Sequence, residues 1–260
     1  MTAWIIDAHM HTNKEPSYLI RDMRLRTLLD RMDELDIEKG VGANIISMHG
    51  HFEEGFLDDK QAYELSGGRV YSMLAYDPRR IDESLRVIEK YHDDKAFRAI
   101  KIHPSEMNMD ADDERYRPVW DIARKYSIPL MSHTWSISSY HPSQNNAFPG
   151  RFERYISEYP DVSFTFAHSG GRWDGIVEAV RIGKQHKNCS YDIAGDILGN
   201  GVLEYMTDVL GIDRIMYGSD IYMIEQRPML GVIIGSALSG AAKEKILRYN
   251  AQRIYFRDVK

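Results

Sequence analysis

The sequence predicts an α/β fold, a single (β/α)8 TIM barrel. Three observations predict it. Short apolar and β-branched runs alternate with helix-length amphipathic stretches from end to end, the pattern of βαβ units and a parallel sheet. Eight such runs occur in 260 residues, a length that one α/β barrel commonly fills without dividing. Histidines and an aspartate recur at the ends of these runs, where a barrel gathers its strand termini at one mouth. An open, doubly wound sheet is the runner-up, because periodicity alone does not show that a sheet closes.

The strand candidates, in order, are WIIDAH (4–9), ANIISMH (43–49), VYSMLAY (70–76), FRAIKIH (97–103), IPLMSH (128–133), VSFTFAH (162–168), CSYDIA (189–194) and RIMYGSD (214–220). Helical patterns between them include residues 23–37, 82–94, 113–126, 173–185 and 201–211. No composition shift, charge block or internal repeat divides the chain, so residues 1–260 read as one catalytic domain. The longest irregular segment, WSISSYHPSQNNAFP (135–149), follows the fifth strand. It reads either as a lid or binding loop or as a solvated insertion.

Composition narrows the partners. With 43% hydrophobic and 28% charged residues the chain is an ordinary folded protein, and a net charge of -6 argues against a broad nucleic-acid surface. The lone Cys189 excludes an internal disulfide and fits a reducing compartment. The opening residues lack the basic flank and apolar run of a signal peptide, and the most apolar stretch, 229–242, is too short to span a bilayer. The expectation is a cytoplasmic protein with a small-molecule substrate, no nucleic-acid or membrane partner, and a homodimeric assembly.

The strand ends carry the chemistry. His9 and His11 end the first strand, His49 the second, His103 the fourth, His133 the fifth, His168 the sixth and Asp220 the eighth. His9 and His11 share the period of a strand, so both imidazoles point to one face, the barrel interior. Two such imidazoles bind one ion, and a third histidine with a carboxylate completes a set suited to zinc or a similar divalent metal. Any one strand-end histidine alone reads as a hydrogen-bonded, partly buried residue; several strands delivering His or Asp to the same end favour the metal.

Six pieces make the chain resemble a known family. IIDAHMH (5–11), AIKIHP (99–104), MSH (131–133), FAHSGG (166–171), YGSD (217–220) and the closing RYNAQRIYF (248–256) are similar, in order, to the amidohydrolase superfamily and its amidohydrolase-2 branch. That resemblance implies a barrel of the metallo-dependent hydrolase type. His9, His11, His133 and Asp220 are then the ligands of one divalent ion, zinc or alternatively manganese. His168 positions or activates water or polarises substrate, and Asp220 doubles as the proton shuttle. A metal lowers the pKa of bound water to about 7, and a neighbouring carboxylate can take and pass on its proton.

Lys101 alternates with His103 on the fourth strand and is read as a substrate contact, with a bridging role between two metals as the lesser alternative. His103, Trp135 and Arg172 are the other substrate-binding candidates; Arg172 follows Gly170 and Gly171 at a helix start that favours an anion. A second H-x-H, His49 and His51, is placed near the pocket rim, with Phe52, Glu53 and Glu54 in a loop leaving the strand. Asp7 reads either as an acceptor that fixes a histidine tautomer or as a buried residue bonded lower in the barrel. Asp192 and Asp196 stand near the end of the seventh strand. The leading reading is hydrolysis of an ester, lactone or amide of a carboxylate-bearing molecule. The alternative is a decarboxylase or hydratase of an aromatic or unsaturated acid, and a binding barrel without turnover comes third.

Overall fold

The computed structural model describes residues 5–12, 24–195 and 199–256. Eight parallel strands form one sheet in sequence order: β1 (Ile5–Thr12), β2 (Ile37–Asn44), β3 (Val70–Ala75), β4 (Phe97–Ile102), β5 (Leu130–His133), β6 (Phe164–Ala167), β7 (Cys189–Asp192) and β8 (Ile215–Met216). Helices between successive strands cover the sheet, including Leu25–Glu34, Phe52–Leu65, Ile81–Tyr91, Arg117–Tyr126, Trp173–Gln185 and Val202–Leu210. β8 is short, but the residues after it run along β1. Ala8 N–H donates to Tyr217 O, Ser219 and Asp220 N–H to His9 O, and His11 N–H to Ile221 O. These bonds, with a parallel bridge between Met10 and Ile221, bring the two edges together and make the sheet a barrel.

Asp7 ties this seam. Its Oδ1 accepts from the amides of His9 (3.3 Å) and Ser219 (3.0 Å), and its Oδ2 from Gln226 Nε2 (3.3 Å). Of the two roles open to it, the buried one low in the barrel is the one observed. Aromatic packing fills the layer between strands and helices, with Trp120 stacked on Phe164 (5.2 Å between centroids) and Phe166 on Tyr191 (5.4 Å).

The second strand is displaced from its predicted position. The expected strand 43–49 is in fact the end of β2 followed by a helical turn, Ile45–Met48, which leaves His49 beyond the turn. Asn44 Oδ1 accepts from Ile46 N–H (3.1 Å) and starts that turn. The true strand, IEKGVGAN, carries glycines where β-branched residues are usual. A Cβ on Gly40 would stand 2.1 Å from Met10 Cε, so the β1 side chain already occupies that space. His51, Phe52, Glu53 and Glu54 do not form a loop either. Phe52–Leu65 is a helix with both glutamates in its first turn, where its dipole favours them.

That helix is pinned to the barrel by Asp59. Its Oδ1 accepts from Thr12 Oγ1 (2.5 Å) and Asn44 Nδ2 (2.9 Å), and its Oδ2 from Ser72 Oγ (2.6 Å). Burial pushes the carboxyl up from 3.8 to about 7 against these hydrogen bonds. Between those values the folded chain keeps a proton that the unfolded chain has released. Stability therefore falls as pH rises through that window and levels above it. Wild type is expected to lose about 2 kcal/mol between pH 5 and pH 7 relative to Asp59→Asn. Urea denaturation of both proteins at the two pH values checks this, and a pH-independent difference would refute it.

Among the described residues no helix is long and apolar enough to cross a membrane.

Candidate active site

At the carboxyl mouth of the barrel lies a cavity of about 630 Å³. His11, Lys101, His103, His133, Trp135, His168 and Asp220 all line it, while His9 is fully buried behind them. Strand alternation turns His9 and His11 inward, as expected. Two other residues reach the cavity through unusual backbone: His168 (φ 61°) and Asp220 (φ 61°) both stand in the left-handed region. Each is held there by bonds to neighbouring strands. Asp192 Oδ1 accepts from His168 N–H (2.9 Å), and His9 O accepts from Asp220 N–H (2.9 Å). Such strain is concentrated where a side chain must be aimed.

The turn that carries His168 depends on two glycines. Gly170 (φ 97°) lies against Gly175 at the start of the Trp173–Gln185 helix, and a Cβ on Gly175 would stand 1.8 Å from Gly170 O. Both neighbours are backbone, so neither yields cheaply. Gly175→Ala is expected to destabilise the fold by about 3 kcal/mol. Thermal denaturation checks it; an unchanged melting temperature would show that the junction relaxes.

Hydrogen-bond partners assign the imidazole nitrogens. His11 Nδ1 lies 3.3 Å from Ala43 O and His168 Nδ1 lies 3.1 Å from Ala194 O. A carbonyl only accepts, so each Nδ1 carries the proton and each Nε2 keeps its lone pair. His9 Nδ1 faces Asp192 Oδ2 at 3.2 Å, although off the line of a good hydrogen bond, and its Nε2 accepts from Lys101 Nζ (2.8 Å). Three imidazoles are thus oriented from behind by oxygen acceptors, the arrangement that prepares histidines as metal ligands.

The lone pairs converge on a carboxylate. Asp220 Oδ1 is 3.0 Å from His11 Nε2 and 3.7 Å from His9 Nε2, and ligand atoms of His9, His168 and Asp220 lie within 4.8 Å of one another. A neutral His11 sets its lone pair against the carboxylate, a contact that a cation makes attractive. Lys101 already stands as a cation against His9. The donor set therefore fits one divalent metal.

Charge follows burial. Burial lowers the His9 imidazole well below its usual range, reinforced by Lys101, and it lowers His103 and His133 likewise with help from neighbouring imidazoles. Lys101 is pushed down to about 8 by burial, against the pull of Asp192 and Asp220. Burial raises Asp192. Burial alone would raise Asp220 too, but the His11 hydrogen bond and the surrounding imidazoles hold it well below the usual carboxylate range.

The remaining candidates are placed as follows. His133 Nε2 is engaged by Gln144 Oε1 at 2.7 Å instead of facing Asp220, and its ring stacks between His103 (4.1 Å) and Trp135 (5.8 Å). Trp135 also meets His168 edge-on at 5.6 Å. Arg172 is exposed and is not among the lining residues; its guanidinium lies over the Trp135 ring at 5.6 Å, so it contacts the cavity wall from outside. His49 does reach the rim, 3.4 Å from Glu106 Oε1. Asp196 lies outside the described residues. Gln144 went unnoticed in the sequence. It comes from the irregular segment 135–149, which folds over the mouth with a 3-10 turn at Pro142–Ala147 and so acts as a binding loop. A polar side chain in a patternless loop carries no local signal.

The whole chain was compared with known proteins. The family model described as Amidohydrolase matches residues 6–257. No curated protein is similar enough in sequence to match. Among solved structures, a 2,6-dihydroxybenzoate decarboxylase bound to 2,6-dihydroxybenzoate is similar with a TM-score of 0.74 and 15% identity, covering 96% of this chain and 98% of that one. A 5-carboxyvanillate decarboxylase from Novosphingobium aromaticivorans, complexed with manganese and 4-hydroxy-3-methoxy-5-nitrobenzoic acid, gives 0.71 and 16%, covering 96% and 95%. A 4-oxalomesaconate hydratase from Rhodopseudomonas palustris gives 0.71 and 17%, covering 96% and 95%. At these identities the likeness shows a shared fold.

Proposed function

The chain belongs to the amidohydrolase family, and from that premise we propose that it is a metal-dependent lyase that decarboxylates a small aromatic or unsaturated carboxylic acid. The observation that carries this reading is the two-sided cavity. Ile45, Met48, Met223 and Ile224 line it together with Lys101, His168 and Asp220, so it suits a molecule with an apolar body and an anionic head. The activities named for the similar structures, two decarboxylases and a hydratase, support a lyase over the hydrolase expected first.

His9, His11, His168 and Asp220 would hold the metal, with His133 beside them. Bound there, a divalent cation such as manganese or zinc supplies Lewis acidity toward the substrate's oxygens. Lys101 attracts the carboxylate, and burial in the cavity strengthens that attraction. Trp135 and the His133 ring offer flat faces for a planar substrate. In the reaction the bond from the carboxyl carbon to its neighbour breaks, carbon dioxide departs, and the electron pair stays on the substrate carbon. Asp220 carries at Oδ1 the proton that this carbon takes up, then regains one from water.

Hydrolysis would use the same carboxylate to deprotonate water, but it would leave a new carboxyl group and release no carbon dioxide. Incubation of metal-loaded protein with hydroxybenzoates, unsaturated diacids, lactones and amides, followed by mass spectrometry, separates the two. The expected product has lost one carbon dioxide; a product that has gained water would overturn the proposal.

A further inference from the structure

Hydrogen-bond accounting along the β4–β5 wall reveals two donors with nothing to bind. His103 Nδ1 accepts from Glu106 N–H at 3.1 Å. An accepting nitrogen carries no proton, so the single N–H of His103 is on Nε2. Among the described residues that group has no partner, and it is not among the buried unsatisfied atoms. His103 lines the cavity, so this N–H opens onto it. Gln144 behaves alike. Its Oε1 accepts from His133 Nε2 (2.7 Å) and from Ser105 Oγ (3.0 Å), which uses the carbonyl twice. Its amide N–H groups are left without a partner among the described residues, and Gln144 too lines the cavity.

We propose that His103 Nε2–H and the Gln144 amide form a second binding subsite, built to hold an oxygen acceptor of the substrate other than the carboxyl group removed. Resting on the decarboxylase reading, this narrows the substrate to acids that bear a further carboxylate or oxyanion. Both donors are positioned from behind. The stack of His103 on His133, with rings 7° apart, fixes one, and the two bonds to the Gln144 carbonyl fix the other. A pre-set pair of donors in a partly desolvated wall discriminates strongly, because a substrate lacking the acceptor leaves both groups unpaired. Lys101, engaged with His9, and the metal-binding cluster remain available for the reacting carboxyl.

Calorimetric titration of manganese-loaded protein with benzoate and the three benzenedicarboxylate isomers tests this without turnover. At least one isomer is expected to bind about tenfold or more tightly than benzoate. Gln144→Ala should reduce that ratio to within about threefold. Gln144→Glu keeps the bonds to His133 and Ser105 but presents an oxygen to the cavity, so it should remove or reverse the preference. Thermal melting of each variant confirms that it is folded. If benzoate binds and no isomer is preferred, or if the preference survives Gln144→Glu, the subsite assignment is overturned while the decarboxylase reading stands. If neither benzoate nor any dicarboxylate binds wild type, the decarboxylase reading fails, and the subsite with it.

Discussion

Asp220→Asn is expected to lower turnover at least ~10³-fold, since it removes both a metal-binding charge and the group that carries the proton. The carboxylate sits where the His9 and His11 Nε2 atoms converge, and the imidazoles around it keep it ionised. Asparagine preserves the shape, so the left-handed turn and its bond to His9 O should persist. It offers a neutral oxygen or an N–H in place of the anion, and it shuttles no proton at neutral pH. Elemental analysis beside steady-state kinetics divides the two contributions. Metal content retained with turnover lost marks the proton role; loss of both marks ligation. Full activity in the variant would remove Asp220 from the mechanism.

Stripping the divalent metal is expected to abolish turnover and to lower thermal stability, with both restored by manganese or zinc. The physical reason is the set of lone pairs aimed at one carboxylate from His9, His11 and His168, each oriented by an acceptor on its far side. In the folded chain these donors are gathered beforehand, whereas in the unfolded chain they are scattered. A ligand that binds only the folded form at about 1,000 times its Kd adds roughly 4 kcal/mol. For a chain of this size that is a rise of roughly 10 °C in Tm. Replacing His11 or His168 by Ala should erase most of the metal-dependent rise while leaving the melting of the stripped protein close to wild type. Turnover and melting unchanged by prolonged chelation would exclude the metal centre.

What could be read beforehand was whatever depends on local pattern. Alternation along a strand is set by neighbouring residues, so His9 and His11 could be assigned to the inner face from their spacing, and His133, His168 and Asp220 to the mouth from their position at strand ends. The barrel follows from the same alternation of apolar runs and amphipathic helices. The pattern failed at β2, where Gly40 and Gly42 make a strand look like a turn. What makes it a strand is Met10 of β1 filling the space that a side chain would need.

The direction of each nitrogen lone pair could not be read in this way, because it is decided by partners distant in the chain. Ala43 O orients His11 across 32 residues, Ala194 O orients His168 across 26, and Asp192, brought up from β7, faces His9. Nor could the sequence show that Gln144 would meet His133, since a loop without periodicity carries no register. Spacing along the chain thus settled which side chains enter the barrel mouth. Closure of the sheet and the folding of one loop over it settled which atoms those side chains present, because a proton goes to whichever nitrogen finds an acceptor in space.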